Sequence, residues 1–357
     1  MRKASPERMN EEKIAPLLDE ADAAFEEGRP EEALRLAERA LEQAPRSASA
    51  LHFKAAAQVE LGEVEQAGET FERALKEAPT DPELLLSAAD FLVGHHGDDR
   101  ESVERAVALC QKGRKVEGKK GDPALLHELL LVEAMALNQL GDPERALARL
   151  DEALVLVPES REAALERAIS LFELCRFTEA QKAFLKQVEA APEDAWAHHY
   201  LGLLAERRKD AREAKKRFGR ARELQPEEFP APVELGEAEF DAAVESAIAR
   251  LPRDVKAHLE NATIAVEDIP ADEDLMSSKP PLSPCILGVF RGTPIGERSV
   301  SNAVDHLTTS IVLYQKNLER FARTREELVE QIGITVMHEV GHLLGLDEDD
   351  LTERGLE

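Results

Sequence analysis

Small apolar residues recur at a fixed spacing through the first two-thirds of the chain, between long stretches of charged positions. The spacing is 34 residues, the separation of Ala33 from Ala67. Each set has two alanines and a following proline: Ala33, Ala40 and Pro45; Ala67, Ala74 and Pro79; Ala146, Ala153 and Pro158; Ala214, Ala221 and Pro226. A further set has Ala180, Phe184 and Pro192, with Gln187 at the middle position. The period predicts stacked helix pairs, because one pair cannot bury its apolar face alone.

Glycines mark the turns of these predicted pairs. Gly28 and Gly62 are one period apart, and Gly141 has the same phase. Glycine lets the chain bend between two helices, and proline ends the second helix because it lacks the N–H that a helix interior needs. We expect about six pairs over residues 12–227, one of them irregular at 80–124 with a basic, glycine-containing loop.

These residues resemble the tetratricopeptide repeat (TPR) in period and in the order of alanine, phenylalanine, alanine and proline. The resemblance implies an all-α superhelix of helix pairs with a concave groove that binds a peptide or a partner protein. A structural spacer or a self-association surface is the alternative for this array.

The pattern changes after Pro226. A proline-rich linker is expected at 228–235, and a second domain at 236–357. An apolar stripe predicts a helix over Phe240–Leu251. Runs rich in β-branched residues predict three strands, in NATIAVEDI from Asn261, CILGVFRG from Cys285 and SIVLYQKNL from Ser310. A long helix should then run from about Thr324 to Leu344, with Thr324 and Glu327 as a capping box. The prediction is a small α+β domain.

The long helix carries the sequence His-Glu-Val-Gly-His. His338 and His342 are one helical turn apart, so both imidazoles face one side of the helix and can bind a single zinc ion. Glu339 projects to the side, where it can act as general base on a zinc-activated water. The expected chemistry is hydrolysis of a peptide bond.

An acidic cluster after the helix offers the third zinc ligand. Gly345 should adopt a left-handed conformation that ends the helix and turns the chain back. In the spacing HExxHxxGxxE, Glu348 occupies the ligand position of longer zinc-peptidase signatures, and Asp347 and Asp349 are alternatives.

Several ordered segments of residues 236–357, together with this motif, resemble the bacterial minimal-zincin family of metallopeptidases. The resemblance implies a reduced zincin core with His338 and His342 as ligands, Glu339 as catalytic acid/base and Glu348 completing the site. The family usually has aspartate where this chain has Glu348. The strand at Ile311–Gln315 is a candidate platform for an extended peptide substrate, with an ordinary core or edge strand as the alternative.

Charge and cysteine usage narrow the partners and the compartment. The net charge of −27 argues against nucleic acid, whose phosphates it would repel. Three widely spaced cysteines argue against a disulfide framework, and neither a secretory leader nor a membrane span is predicted. A cytoplasmic location is therefore expected.

Two functions agree with these observations. The first is a zinc-dependent metallopeptidase whose TPR array recruits a protein partner or a peptide substrate. The second is a non-catalytic TPR adaptor in which a structural zinc holds the C-terminal domain together.

Overall fold

The helix pairs of the repeat region follow the 34-residue period in the computed structural model. The structure describes residues 6–97, 99–251, 256, 259, 262–294, 309–347 and 350–351, without the side chains of residues 6–12 and 119. Its repeat region contains twelve α-helices, which confirms the predicted TPR solenoid of helix pairs. Their bounds are α1 Pro6–Glu26, α2 Pro30–Gln43, α3 Ala48–Glu60, α4 Val64–Glu77, α5 Pro82–His95, α6 Arg100–Glu117, α7 Pro123–Gln139, α8 Pro143–Leu156, α9 Arg161–Glu173, α10 Phe177–Ala190, α11 Ala195–Arg207 and α12 Ala211–Leu224.

The repeated alanines are buried, as the period predicts. Ala33, Ala40, Ala67 and Ala74 are fully inaccessible to solvent, and the later members of the series are equally buried or nearly so. Burial of a residue without a long side chain lets neighbouring helices approach closely. The irregular repeat differs in its second helix, since α6 has 18 residues and is followed by a 3-10 turn at Gly118–Lys120.

The turns inside the pairs share one backbone conformation. Gly28, Gly62 and Gly141 have φ of 67°, 73° and 71°, which confirms their predicted role. Cys175 and Lys209 follow Gly141 by one and two periods and adopt the same left-handed region, with φ of 56° and 59°. The left-handed backbone conformation of the turn is therefore the same in the repeats that have cysteine or lysine in place of glycine.

The chain divides into two compact units, residues 1–170 and 171–357, with the division inside α9. The second unit contains the last repeats and a small α+β domain. The elements of that domain are α13 Glu237–Arg250, β1 Ala262–Glu267, α14 Asp272–Leu275, β2 Gly288–Arg291, β3 Thr309–Tyr314, α15 Gln315–Phe321 and α16 Arg325–Leu344.

The three strands form one sheet in the order β1-β3-β2. β3 pairs in parallel with β1, where Ile264 lies beside Ile311, and antiparallel with β2, where Val289 lies beside Val312. The apolar core under the sheet joins residues of α13, β3, α15 and α16, including Phe240, Ile311 and Val336.

One expectation for the third strand was wrong, and the choice between its two possible roles is decided. The strand ends at Tyr314, and Gln315 begins α15, so only the first part of SIVLYQKNL is extended. Of the two roles considered for Ile311–Gln315, the ordinary core strand is observed and the peptide platform is excluded, because both hydrogen-bonding edges of β3 are occupied by β1 and β2. Tyr314 and its three predecessors are fully buried, as a central strand requires.

Within the described part of the chain, every helix is too short or too polar to cross a bilayer.

Candidate metal centre

The helix that carries the histidines is bounded by specific capping interactions at both ends. At its start, the Thr324 hydroxyl accepts the Glu327 N–H at 3.1 Å, and the Glu327 carboxylate accepts the Thr324 N–H at 3.3 Å. At its end, Gly345 has φ of 89°, the left-handed conformation that favours glycine. The capping box and the glycine cap that the sequence predicts are both confirmed.

The two histidine rings converge at their outer nitrogens. Nε2 of His338 lies 3.1 Å from Nε2 of His342, and the ring planes are nearly perpendicular, at 84°. Two nitrogens at about 2.1 Å from one tetrahedral ion would be about 3.4 Å apart. The two rings therefore need to move only slightly to bind one zinc ion. The observed distance also suits an N–H···N hydrogen bond between the two rings.

A backbone carbonyl orients the second ring. Nδ1 of His342 lies 3.1 Å from the Leu346 carbonyl oxygen, so an Nδ1–H can donate to it. In the neutral imidazole this tautomer leaves the lone pair on Nε2, which faces His338. Metal-binding histidines commonly have such a partner for their second nitrogen, which fixes the ring and its tautomer.

Glu339 lies on the face of α16 that packs against β2. Its side chain is only 5% exposed. A Cβ atom at Gly288 would come within 3.2 Å of Glu339 Cγ and 2.7 Å of Thr335 Cγ2. Glycine at position 288 thus permits the close approach that holds Glu339 beside the sheet. Sequence reasoning missed this residue, although a glycine at the start of a short strand signals a close neighbour.

The chain returns to α16 after Gly345. The buried Leu351 packs against Gly341, where any Cβ would overlap its side chain. Gly341 is the fourth residue of the His-Glu-Val-Gly-His sequence, so the motif's glycine makes room for the returning segment. This role was not predicted, because it depends on a contact that the helix pattern does not reveal.

The acidic cluster is only partly described. Oδ1 of Asp347 accepts the backbone N–H of Asp350 at 2.9 Å, which is a capping interaction for the next turn. Glu348 and Asp349 lie outside the described residues, so the third-ligand prediction is not tested. Among the described residues, no third His, Cys, Asp or Glu completes a metal-binding group with the histidine pair.

An ionic network fixes β2 to its surroundings. Arg291 donates to Asp274 Oδ1 at 2.6 Å and to Glu267 Oε1 at 2.8 Å, and the Tyr314 hydroxyl donates to Asp274 Oδ2 at 2.8 Å. Burial opposes ionisation of Asp274, but hydrogen bonds from Arg291 and Tyr314 outweigh it and lower the pKa of this carboxyl. The network joins all three strands and α14, and thereby holds β2 in position against α16.

Family comparisons agree with both parts of the chain. Residues 259–356 match a family described as "Zincin-like metallopeptidase". Residues 24–89 and 131–195 match two tetratricopeptide repeat families. The chain therefore combines a TPR array with a zincin-like domain, as the sequence resemblances predict. The comparison with curated proteins gave no match.

Two solved structures show the fold of the repeat region. One, from "Functional Characterization of Pseudomonas Aeruginosa pilF", is 19% identical, with a TM-score of 0.50 over 65% of this chain and 98% of that one. The other, "PilW, widely conserved type IV pilus biogenesis factor", is also 19% identical, with a TM-score of 0.51 over 60% and 94% of the two chains. At this identity the likeness concerns the fold alone.

Proposed function

We propose that this protein is a zinc-dependent peptidase that uses its TPR array to recruit a protein partner or a peptide substrate. The observation that carries the proposal is the 3.1 Å approach of His338 Nε2 to His342 Nε2, beside Glu339 on the same helix. The match of residues 259–356 to zincin-like metallopeptidases supports it. The working domain bounds are 12–227 for the array, 228–235 for the linker and 236–357 for the peptidase domain.

In this proposal His338 and His342 hold the zinc ion through Nε2, and Glu348 is the third ligand, with Asp347 and Asp349 as alternatives. When bound, zinc supplies Lewis-acid polarisation of a peptide carbonyl and activation of a water. The carboxylate of Glu339 accepts a proton from the attacking water and delivers it to the leaving amine. Its position against β2 limits its motion, so the group is oriented before substrate binds.

The repeats supply the recruitment. TPR families and the stacked helix pairs of the array indicate protein–protein interaction. We propose a peptide or protein ligand and no nucleic acid partner, consistent with the charge of −27. We also propose a cytoplasmic location, in keeping with the three widely spaced cysteines.

The decisive experiment separates metal binding from catalysis. Purified full-length protein should contain about one zinc per chain, measured by mass spectrometry, and should cleave a peptide library read by labelling of new N-termini. Glu339→Gln should keep the metal and lose activity on the order of 100-fold or more, since general-base catalysis contributes about that much. Glu330→Gln is the matched control, because Glu330 is an exposed glutamate of the same helix. Equal cleavage by the parent and Glu339→Gln would overturn the catalytic assignment.

The third ligand needs its own comparison. Glu348→Ala should weaken zinc affinity by about 10- to 100-fold or more, while Asp347→Ala and Asp349→Ala should have smaller effects. The reverse order would move the ligand assignment to the affected aspartate.

The second candidate is a TPR adaptor with a structural zinc. It is supported by the burial of Glu339, because a side chain that is 5% exposed also suits a packing role beside β2. Under this hypothesis the parent holds zinc but cleaves nothing, and His338→Ala lowers the melting temperature of the C-terminal domain. Chelator-sensitive cleavage by the parent would exclude it.

A further inference from the structure

A large groove lies within the second unit, away from the histidine pair in sequence. Its volume is about 1120 Å³, slightly above the range of about 300–1000 Å³ that is typical of small-molecule sites. One wall is formed by α11, α12 and residues 228–234, and the other by the end of β1 and by α15. The groove is thus built jointly by the last TPR helices and the C-terminal domain.

The cations on the α15 wall already have partners. Lys316 Nζ lies 3.0 Å from Asp268 Oδ2, and Arg320 Nη1 lies 2.8 Å from Glu206 Oε2. These ion pairs tie the wall to α11 and give it little remaining capacity for an anion.

The cations on the α12 wall differ. Lys209, Lys215 and Arg222 line the groove and form no ion pair with any described residue. Nε of Arg222 is also buried and has no hydrogen-bond partner among the described residues. A buried donor without a partner destabilises the protein, so an acceptor supplied by a ligand would offset that cost.

The charge of α12 contrasts with that of the whole protein. The helix has six basic and two acidic residues, in a chain with a net charge of −27. The basic wall formed by α12 attracts an acidic ligand locally, while the negatively charged remainder of the surface disfavours non-specific binding of anions.

The inner surface of the groove is apolar and aromatic. The His199 ring stacks on Phe229 with centroids 4.7 Å apart and lies 5.5 Å from the Phe218 ring. Burial, assisted by Arg320, lowers the pKa of His199 to about 4, so the ring is neutral at pH 7. The exposed Glu228 and Glu234 also line the groove. This mixed lining suits a peptide with carboxylates and an apolar side chain better than a polyphosphate or a nucleic acid.

We propose that the groove between α12 and α15 binds an acidic peptide segment of a partner protein, with its carboxylates on Lys209, Lys215 and Arg222 and an apolar side chain against Phe218 and Phe229. The proposal concerns binding only and does not require the histidine site to be catalytic.

The test uses full-length protein on an array of random decapeptides with zero to four acidic residues and one leucine or phenylalanine. The array is probed with the parent and with Glu339→Gln, so that cleavage cannot remove a bound peptide. Both proteins should favour acidic peptides. The double variant Lys215→Gln/Arg222→Gln removes two charge-assisted contacts and should weaken binding by at least tenfold, which corresponds to about 1.4 kcal/mol.

Two further variants separate the groove from the general charge of α12. Arg212→Gln/Lys216→Gln removes the same charge from exposed positions outside the groove and should leave binding within twofold. Gly219→Leu should block the groove without any change in charge, because a Cβ at Gly219 meets no atom within 4 Å. Circular dichroism checks that each variant is folded.

Three results would overturn the proposal: no preference for acidic peptides, a preference that survives both groove variants, or an equal loss in the Arg212→Gln/Lys216→Gln control. Tighter binding of a ten-nucleotide oligothymidylate than of the best acidic peptide would also overturn it, in favour of a nucleic acid ligand.

Discussion

The turn glycines of the repeat array and two packed glycines of the C-terminal domain serve different purposes. In the array, Gly28, Gly62 and Gly141 supply a left-handed turn, and a Cβ added at any of them would meet no atom within 4 Å. In the C-terminal domain, Gly288 and Gly341 supply space, because a Cβ would press into neighbouring side chains. The turns of the helix pairs therefore depend on a backbone conformation that other residues can adopt at a cost, whereas the packing at Gly288 and Gly341 depends on the absence of a side chain.

The largest effect that this contrast predicts is at Gly288. Gly288→Ala should destabilise the C-terminal domain by about 2–3 kcal/mol, because the new methyl group would lie 2.7 Å from Thr335 Cγ2 and 3.1 Å from the Val312 carbonyl oxygen. It should also displace Glu339 and reduce any cleavage activity. The measurement is amide hydrogen exchange of α16 during native-state unfolding.

Two other glycines serve as controls for this substitution. Gly333 lies in α16 with its nearest atom 3.9 Å from an added Cβ, and Gly94 lies in α5 with no atom within 4 Å. Alanine at either position should raise stability by up to about 1 kcal/mol, the difference in helix propensity. If Gly288→Ala behaves like these controls, close packing at β2 is not what positions Glu339.

The features that depend on local sequence could be predicted, and those that depend on contacts between distant residues could not. The 34-residue period predicted the helix pairs and their glycine turns, because the same pattern occurs in several repeats. The cap residues Thr324 and Gly345 were also found, since capping is local. By contrast, β3 was extended too far, and its role as a core strand or a peptide platform stayed open, because strand order and burial depend on contacts far apart in sequence. The roles of Gly288 and Gly341 were missed for the same reason.

Cys175 and Lys209 could have been found from the sequence. Both occupy the phase of the turn glycines, and the period alone therefore places them at a left-handed position. The proximity of the His338 and His342 rings follows from their helical spacing, whereas their role as zinc ligands stays a prediction. The groove beside α12 could not be predicted, since it needs the linker and α15 in their folded positions.

The second prediction concerns His199, which lies where the last repeat meets the C-terminal domain. Burial and Arg320 hold its pKa at about 4, against an ordinary value of 6.5. Between pH 6.5 and pH 4, His199 is largely protonated in the unfolded chain and largely neutral in the folded protein. The free energy of unfolding therefore falls as the pH is lowered from 6.5 towards 4. The expected loss is about 2–3 kcal/mol from this one group.

Urea unfolding followed by the fluorescence of Trp196 at several pH values measures this loss. His199→Phe keeps an aromatic ring against Phe229 but cannot bind a proton, so its stability should fall less between pH 6.5 and 4 than that of the parent. Parallel curves for the two proteins would show that His199 does not titrate in this range.

The smallest predicted effect is at the turns without glycine. Lys209→Gly should raise the free energy of unfolding by about 1 kcal/mol, because Lys209 has φ of 59° and an L-residue pays about 1–2 kcal/mol there. Gly141→Ala should lower it by a similar amount. Cys175→Gly should gain less than Lys209→Gly, since the Cys175 thiol also lies 3.7 Å from the Leu282 carbonyl oxygen.

Lys216→Gly gives the opposite sign for the same chemical change. Lys216 is exposed within α12, where glycine should cost about 1 kcal/mol relative to a good helix former. Opposite signs at Lys209 and Lys216, measured by urea unfolding, would show that backbone conformation at the turn decides the effect, and not the loss of a lysine. If Lys209→Gly is destabilising, the lysine side chain contributes more to the stability of the last repeat than its left-handed conformation costs. The turns would then depend on their side chains, as the packing at Gly288 and Gly341 depends on neighbouring side chains.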